Sequence, residues 1–405
     1  MQRIVYKSFE LSCLYHNTYI AYMIWHVFRM VHILQRKKAV LVLEDGTSFH
    51  GFSFGAEIPV QGEVVFNTGM VSYPESMTDP SYAGQILVFT YPLIGNYGVP
   101  EKKEVDGILY SQESEHIHPK AIIVAEYSDR CNHWESVKSL ESWLKEERVP
   151  AITGIDTRAL TKRLREKGTL LGKIIFKEEH QQIPFVNPNE TNLVETVSVK
   201  QKQIIGTGQL HILVIDCGMK HGILRYLHNE QTTLVRVPWD YDFTKEKEIY
   251  DGIFISNGPG DPKQCGVTIS NLKEVLDDNI PIFGICLGIQ LLALATGADT
   301  YKLKYGHRSQ NQPCTEQTTQ DCFITAQNHG FAVDQKTLSS EWHVWFSNTN
   351  DGTVEGIKHA TKPFSAVQFH PEASGGPRDT VWLFDRFLDQ IKQFHEMKVV
   401  KFYEH

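Results

Sequence analysis

The chain has 405 residues, enough for two domains that each bury a core of their own. Its formal charge of −8 and the lack of a basic stripe or block argue against a nucleic-acid partner. The seven cysteines are scattered without a C-x-x-C pair, and the eighteen histidines show no ligand spacing such as H-x-x-x-H. We therefore expect a reducing compartment, no disulfide framework and no metal site.

Residues 1–37 are predicted to be an extension, and its role stays open. The run NTYIAYMIWHVFRMVHIL is apolar, but His26, Arg29 and His32 interrupt it, whereas a membrane-spanning helix needs about 20 predominantly apolar residues. We therefore expect no membrane partner. The segment is poor in acids and loosely resembles an organellar presequence. An extension that arises from an upstream start codon is an equally plausible interpretation. The expected location is cytoplasmic, with the mitochondrial matrix as the alternative.

Residues 38–175 are predicted to form a strand-rich α/β domain. KAVLVLEDGTSFHGFSFG predicts a hairpin that turns at Asp45 and Gly46, and GEVVFNTG, QILVFTYP and KAIIVAEY predict further short strands. SVKSLESWLKEE and DTRALTKRLREKG predict helices, the second capped by Asp156 and stopped by Gly168. Residues 176–208 are polar and rich in Pro, Asn and Gln, so we expect a connector there with one short strand.

From residue 209 to residue 395, strands and helices alternate regularly. HILVIDCG, TTLVRVP, DGIFISNGPGDP and IPIFGI predict strands, and KHGILRYLHN and GVTISNLKEVLDD predict helices between them. This alternation indicates an α/β domain with an open, mostly parallel, flavodoxin-like sheet that is covered on both faces. Such sheets bind ligands at the carboxyl ends of their strands, where SNGPGDP and Cys286 lie. Residues 396–405 are expected to be a tail.

Cys286 follows a predicted strand and precedes a predicted helix, with Gly284 and Gly288 on either side. This G-x-C-x-G pattern is the thiol counterpart of the nucleophile elbow G-x-S-x-G, in which a sharp turn exposes the nucleophile above the sheet. The start of a helix favours the negative charge of a thiolate, and the Leu287 N–H and the Gly258–Gly260 loop are placed to donate to an oxyanion. On this motif alone, a buried structural cysteine is an equal alternative.

The stretch FSAVQFHPEAS supplies a candidate base and a carboxylate. On a strand, residues i and i+2 share a face, so His370 and Glu372 are expected to project together, with Pro371 where the strand leaves the sheet. His370 would then exchange protons with the thiol and the leaving amine, and Glu372 would orient the imidazole. His329 in AQNHGFAVD is a rival base, although its surroundings favour a wall of the substrate pocket.

These motifs resemble the class I, or triad, glutamine amidotransferases, which share G-I-C-x-G-x-Q and a late H-P-E. LVLEDGTSFHG, GIDTRALTKRLREKG, ITAQNHGFAVD and VQFHPEASGGPRDTVWLFDRFL are further similar to the small, glutaminase subunit of carbamoyl-phosphate synthetase. The likeness runs from about Lys38 to Lys392 and includes an N-terminal domain that other amidotransferases lack. PESMTDPSYAGQILVFTYPLIGNYGVP is most similar to the arginine-pathway enzymes of fungi.

The resemblance implies that Cys286, His370 and Glu372 form a triad that hydrolyses L-glutamine. By the motifs of the family, glutamine would be held by Ser81, Gly258, Gly260, Leu287, Gln290, Asn328, Gly330 and Phe331. The ammonia would pass to a separate large subunit, which uses ATP, magnesium and bicarbonate to make carbamoyl phosphate. No cofactor is expected in this chain, and SNGPGDP lacks the Lys-Ser/Thr pair of a phosphate loop.

The sequence departs from the family pattern at Ile289, where histidine is usual, and at Gly222, where asparagine is usual. Two other functions stay open. The chain could be the glutaminase of another synthetase, such as anthranilate or aminodeoxychorismate synthase, although its N-terminal domain argues against this. It could also be a catalytically silent module that regulates a large subunit, although the intact Cys286, His370 and Glu372 argue against decay.

Overall fold

The computed structural model describes residues 36–403, so nearly all of the expected N-terminal extension lies outside the described part. The strands up to residue 175 are β1 (Lys38–Leu43), β2 (Ser48–Ser53), β3 (Val60–Asn67), β4 (Gln85–Phe89), β5 (Leu93–Ile94), β6 (Val99–Pro100), β7 (Glu104–Val105), β8 (Ile108–Leu109), β9 (Ala121–Ile123), β10 (Glu126–Tyr127), β11 (Ser136–Lys138), β12 (Ala151–Thr153) and β13 (Leu170–Ile175). The helices of this part are α1 (Tyr73–Met77), α2 (Leu140–Glu146) and α3 (Thr157–Lys167).

Seven of these strands close into a barrel in the order β1-β13-β3-β4-β9-β12-β2. Strands β3, β4, β9 and β12 run parallel to one another, and all the other pairings of the barrel are antiparallel. Because strand side chains alternate between two sides, the barrel has two apolar clusters. One packs against α3 through Leu160 and Leu164, and the other against α2 through Leu140, Trp143 and Leu144.

The second part of the chain is built on one large sheet. Its helices are α4 (Val194–Val197), α5 (His221–Leu227), α6 (Gly266–Val275), α7 (Leu287–Ala295) and α8 (Trp382–Tyr403). Its strands are β14 (Gln203–Ile205), β15 (Leu210–Asp216), β16 (Thr232–Pro238), β17 (Gly252–Ile255), β18 (Ile282–Ile285), β19 (Thr300–Glu316), β20 (Cys322–Val333), β21 (Trp342–Asn348), β22 (Val354–His359) and β23 (Phe364–Val367).

The ten strands lie in the order β14-β16-β15-β17-β18-β23-β22-β21-β19-β20. The five strands from β16 to β23 in this order are parallel, and the pairings outside them are antiparallel. Apolar residues of α5 and α8 cover one face of the sheet, and those of α6 and α7 cover the other. The predicted α/β class is confirmed, with a parallel centre and an antiparallel extension.

Local predictions are confirmed for the first hairpin and for α3, in which the Asp156 side chain accepts a hydrogen bond from the Ala159 N–H. Two predictions need correction. SVKSLESWLKEE is not helical throughout, because Ser136–Lys138 pairs with β6 and the helix begins after its cap, Ser139. The last parallel strand ends at Val367, so His370 and Glu372 lie in the turn that follows it.

The barrel and the sheet meet along a seam of buried polar contacts. His221, at the start of α5, accepts a hydrogen bond at Nδ1 from the Leu109 N–H, at 2.8 Å. The Arg225 guanidinium forms an ion pair of 2.9 Å with the buried Glu113 carboxylate. Asn257, which follows β17, donates to Ser81 Oγ across the same seam, so the first part of the chain contributes to the rim at which the candidate site lies. None of the helices in the described part has the length and apolar character needed to cross a bilayer.

Candidate active site

Cys286 is the single residue between β18 and α7, and its backbone is strained, with φ 57° and ψ −102°. A non-glycine residue rarely adopts a positive φ, and such strain is concentrated at functional sites. Close packing explains the flanking glycines. A Cβ on Gly288 would lie 2.4 Å from the Ile255 carbonyl oxygen, and one on Gly284 would lie 2.8 Å from the Gly288 carbonyl carbon. The turn can therefore fold tightly only with glycine at both positions.

His370 and Glu372 meet although they do not share a strand. The His370 N–H donates to the Ala326 carbonyl at 2.8 Å, which fixes the turn after β23 against β20. His370 Nδ1 lies 2.6 Å from Glu372 Oε1, and its Nε2 has no hydrogen-bond partner among the described residues. Burial lowers the pKa of His370, but the Glu372 carboxylate and the charge of Cys286 outweigh this and raise it to about 10. The imidazole therefore interacts with both residues.

Lys220 completes this buried group and was not predicted. Its Nζ lies 3.0 Å from Glu372 Oε1, and both side chains are inaccessible to solvent or nearly so. Burial raises the pKa of Glu372, but the charges of Lys220 and His370 outweigh it and hold that pKa well below its usual range. Burial lowers the pKa of Lys220, and the charges of Glu372 and Glu113 raise it above its ordinary value. Glu372 is therefore a buried carboxylate between two cationic partners.

One cavity brings Cys286 together with every residue predicted to hold glutamine, although the chain carries them far apart. It is lined by Ser81, Gly258, Gly260, Leu287, Gln290, Asn328, Gly330 and Phe331. His370 lines a neighbouring cavity with Lys220 and Asp79. The lining of the first cavity also contains charged residues that were not predicted, namely Glu63, Lys302 and Arg308.

The barrel supplies Ser81 to this cavity, and buried hydrogen bonds fix it there. Ser81 Oγ accepts from Asn257 Nδ2 at 2.9 Å, and the Ser81 N–H donates to Asp79 Oδ1 at 2.9 Å. Asp79 Oδ2 in turn accepts from Asn328 Nδ2 at 2.9 Å. A serine in an exposed turn would need no such partners. The arrangement ties one predicted glutamine contact from the barrel to another from the sheet.

Gln290 and Asn328 are held in place by contacts within the sheet domain. Gln290 Nε2 donates to the Phe331 carbonyl and to Gln368 Oε1, each at 3.0 Å. The Asn328 carbonyl oxygen lies 3.5 Å from Cys286 Sγ. Cys286 and the first turn of α7 therefore lie directly against β20.

The contacts of His329, the rival base, do not suit it to accept a proton from Cys286. Its Nδ1 lies 2.9 Å from the Phe331 carbonyl oxygen, and its Nε2 lies 3.2 Å from Gln327 Oε1. Burial and the neighbouring charge of His307 hold its pKa well below the usual value. A neutral ring has one N–H and can donate to only one of these two oxygens, and a buried, neutral ring packed between such groups is typical of a structural histidine.

His307, His329 and Glu355 form a buried group in the described part of the chain whose ligand atoms lie close enough together to hold a metal ion. These atoms also have partners within the protein. His307 bridges two carboxylates, with its Nδ1 3.2 Å from Glu355 Oε1 and its Nε2 2.8 Å from Asp351 Oδ2. A hydrogen-bonded network therefore accounts for the group, and the lack of a metal stays a prediction.

The two departures from the family pattern have different surroundings. Ile289 is fully buried on α7 within the apolar core, where an aliphatic side chain fits. The Gly222 N–H donates to Glu113 Oε2 at 2.8 Å, and a Cβ there would lie 3.0 Å from Glu372 Cγ. Glycine at this position therefore lets α5 approach Glu372 closely.

Two family models match this chain. A model of the class-I glutamine amidotransferases matches residues 213–390, and a model of the CPSase domain of the carbamoyl-phosphate synthase small chain matches residues 41–174. The arginine-specific small chain of carbamoyl phosphate synthase from Saccharomyces cerevisiae is 50% identical over 368 residues, which are 88% of this chain and 89% of that relative. The corresponding small chain from Yarrowia lipolytica is 51% identical, over 88% of this chain and 83% of the relative.

Longer proteins also match. The multifunctional protein CAD from Squalus acanthias is 51% identical over 87% of this chain, but this chain spans only 16% of that relative's length. The resemblance deduced from the motifs is confirmed by these matches, which cover both the barrel and the sheet. The chain therefore belongs to the carbamoyl phosphate synthase small chains, the family that joins this N-terminal domain to a class-I glutamine amidotransferase domain.

Proposed function

We propose that this chain hydrolyses L-glutamine at Cys286 and supplies the ammonia to a separate large subunit that makes carbamoyl phosphate from bicarbonate. The observation that supports this most directly is that Cys286 shares one cavity with all the residues expected to hold glutamine, while the charge of Cys286 acts on the imidazole of the His370–Glu372 pair beside the neighbouring cavity. The large subunit would use ATP and magnesium. The names of the fungal relatives favour a role in arginine synthesis.

The first half-reaction forms a thioester. Cys286 Sγ attacks the side-chain amide carbon of glutamine, and the oxyanion of the tetrahedral intermediate accepts from the Leu287 N–H and the Gly258–Gly260 loop. The raised pKa of His370 keeps its ring protonated, so Nε2 can donate a proton to the leaving nitrogen. The C–N bond then breaks, and ammonia leaves a glutamyl thioester on Cys286.

The second half-reaction restores the thiolate. His370, now neutral, takes a proton from a water molecule, whose oxygen attacks the thioester carbon. The C–S bond breaks, glutamate leaves, and His370 is again protonated beside the Cys286 thiolate. Glu372 stabilises the imidazolium through its contact with Nδ1, and Lys220 keeps Glu372 ionised throughout the cycle.

Replacement of the nucleophile tests this function. Cys286→Ser in the complex with the large subunit is expected to abolish glutamine-dependent synthesis of carbamoyl phosphate and to leave ammonia-dependent synthesis intact, because only the amidotransferase step needs the thiolate. Cys322→Ser, at an exposed cysteine of β20, is the matched control and should retain both activities. Equal loss of both activities in Cys286→Ser would show that the cysteine is structural.

Labelling with a chloroketone analogue of glutamine distinguishes an active glutaminase from a catalytically silent regulatory module. An active chain is expected to be alkylated at Cys286, and excess glutamine should protect it. Absence of labelling in the folded complex would favour the silent module.

A further inference from the structure

The four parallel strands of the barrel end at a second cavity, which is separate from the one that contains Cys286. Strands β3, β4, β9 and β12 run in the same direction, so their carboxyl ends meet at one rim. A cavity of about 910 Å³ lies there, and the residues after these strands line it, namely Thr68, Thr90, Ala125 and Ile155. It shares no lining residue with the cavity at Cys286. Ligands of parallel sheets and barrels bind at this end of the strands, and a volume of this size is typical of a small-molecule site.

Three cations of α3 line this cavity. Arg158, Lys162 and Arg165 are four and three residues apart, a spacing that places them on one side of the helix. In the part of the chain that the structure describes, Arg158 and Arg165 form no ion pair with a carboxylate. The ion pair of α3 with Asp45, at 2.6 Å, is made by Arg163, which does not line the cavity.

The two acids in the lining leave these cations largely uncompensated. The Asp156 side chain caps α3 and accepts from the Ala159 N–H. Glu166 lies 3.9 Å from Lys162 Nζ, and both side chains are mostly exposed, so this contact is weak. A basic helix face in open solvent needs no partner, but these cations border a concave space. The lining therefore favours an anionic ligand.

The arrangement of the cations indicates what kind of anion fits. Arg158 and Arg165 are seven positions apart, which corresponds to roughly 10 Å along the helix axis. One carboxylate cannot reach across that distance, whereas linked phosphate groups can accept charge-assisted hydrogen bonds from all three cations. The lining also contains Pro92, Ala125, Ile155 and the ring of Tyr305, against which an organic group would pack.

We propose that this cavity binds a small molecule that carries a polyphosphate group, with Arg158, Lys162 and Arg165 as its cationic partners. This inference does not depend on the proposed glutaminase function, because none of these three residues lines the cavity with Cys286. The barrel would then be a ligand-binding domain in its own right, in addition to supplying Ser81 to the glutamine site.

The experiment measures the binding of four probes to the isolated full chain by isothermal titration calorimetry at constant ionic strength. The large subunit is left out so that its own sites do not contribute. The probes are inorganic tripolyphosphate, ADP, citrate, which presents carboxylates in place of phosphates, and adenosine. Tripolyphosphate and ADP are expected to bind at least about tenfold more tightly than citrate and adenosine, since only they carry linked phosphate groups. Tighter binding of ADP than of tripolyphosphate would support packing of the organic group as well.

Two variants locate the site. Arg158→Gln and Arg165→Gln are each expected to weaken the binding of tripolyphosphate about tenfold, because each removes one charged partner. Both side chains are exposed, so neither substitution should disturb the fold. Arg130→Gln is the matched control, at an exposed arginine of the same part of the chain that does not line the cavity. It should change the affinity less than about twofold, because its charge is outside the site.

Three results would overturn the inference: no binding of tripolyphosphate or ADP to the native chain, binding of citrate as tight as that of ADP, or equal weakening in Arg130→Gln and Arg158→Gln. If the native chain binds no probe and Arg158→Gln associates more weakly with the large subunit, the cavity is a subunit contact and not a small-molecule site.

Discussion

The ionisation of His370 depends on three buried neighbours with opposing effects. Desolvation and the charge of Lys220 lower its pKa, whereas the carboxylate of Glu372 and the charge of Cys286 raise it. The balance favours the protonated ring, and a protonated ring beside a thiolate is the state that can both stabilise the nucleophile and deliver a proton to ammonia. Glu372 therefore matters through its charge as well as through its hydrogen bond.

Glu372→Gln tests this role. Glutamine keeps a hydrogen-bonding oxygen but removes the negative charge that raises the pKa of His370, so that pKa should fall. We expect kcat to fall by about 10²- to 10⁴-fold and the alkaline limb of the pH profile of kcat/KM to move to lower pH. Glu355→Gln, at a buried glutamate outside this group, is the control and should not move that limb. An unchanged alkaline limb in Glu372→Gln would contradict the assignment.

The candidate site could be predicted from sequence where its residues belong to local patterns. Cys286 is recognisable from its glycine neighbours, and His370 and Glu372 are two positions apart. Lys220 gave no such signal, because it meets Glu372 only through the packing of distant segments. Arg308, in YGHRSQNQ, also gave no signal, because its burial in the lining of the cavity is visible only in the folded chain.

The strand-to-helix turn of β18 and α7 is stabilised by contact with β17. The first turn of α7 packs on the end of β17 so closely that Gly288 has no room for a side chain. The strained backbone of Cys286 persists because β17 and β23 pair with β18 on one side of the turn, and α7 packs on the end of β17 on the other. The parallel centre of the sheet therefore determines the backbone conformation of Cys286.

Gly288→Ala should therefore destabilise the protein and misplace the nucleophile. A Cβ 2.4 Å from the Ile255 oxygen forces α7 to move, at a cost of about 1–3 kcal/mol in the free energy of unfolding. Gly266→Ala, at the start of α6 with no atom within 4 Å of the added Cβ, is the control and should be neutral or slightly stabilising. Urea denaturation of both variants measures the difference, and equal midpoints would contradict the packing argument.

Element types were more predictable than their pairing. Most of the strands and helices that apolar runs and helix caps predicted are present, because those signals act within a few residues, whereas short strands such as β5 to β8 were not predicted. The closure of the barrel depends on β2 meeting β12, about a hundred residues later, and no local pattern encodes this contact. The antiparallel extension of the sheet was missed for the same reason, since β19 to β22 pair with one another outside the regular strand–helix alternation.

Both the barrel and the sheet domain contribute residues to the site, which lies beside the seam between them. Ser81 lines the cavity with Cys286 and Asp79 lines the neighbouring cavity, both from the first part of the chain, and Glu113 of the same part contacts Arg225 and Gly222 on α5. Buried polar contacts of this kind are sensitive to protonation. Acid should therefore weaken the seam before it unfolds the apolar cores.

His221 provides the last test. Its Nδ1 must be unprotonated to accept from the Leu109 N–H, and burial followed by the charge of Arg236 lowers its pKa from 6.5 to about 4. Because the unfolded chain binds a proton more readily, this contribution to stability is complete above about pH 6.5 and is lost as the pH falls towards 4. The loss of folding free energy between pH 7 and pH 5 should be about 2 kcal/mol.

His221→Gln, which accepts a hydrogen bond without titrating, should remove this part of the pH dependence in urea denaturation. His343→Gln, at an exposed histidine of β21 outside the seam, is the control. If the free energy of unfolding depends on pH identically in the native protein and in His221→Gln, the contact does not couple the seam to pH.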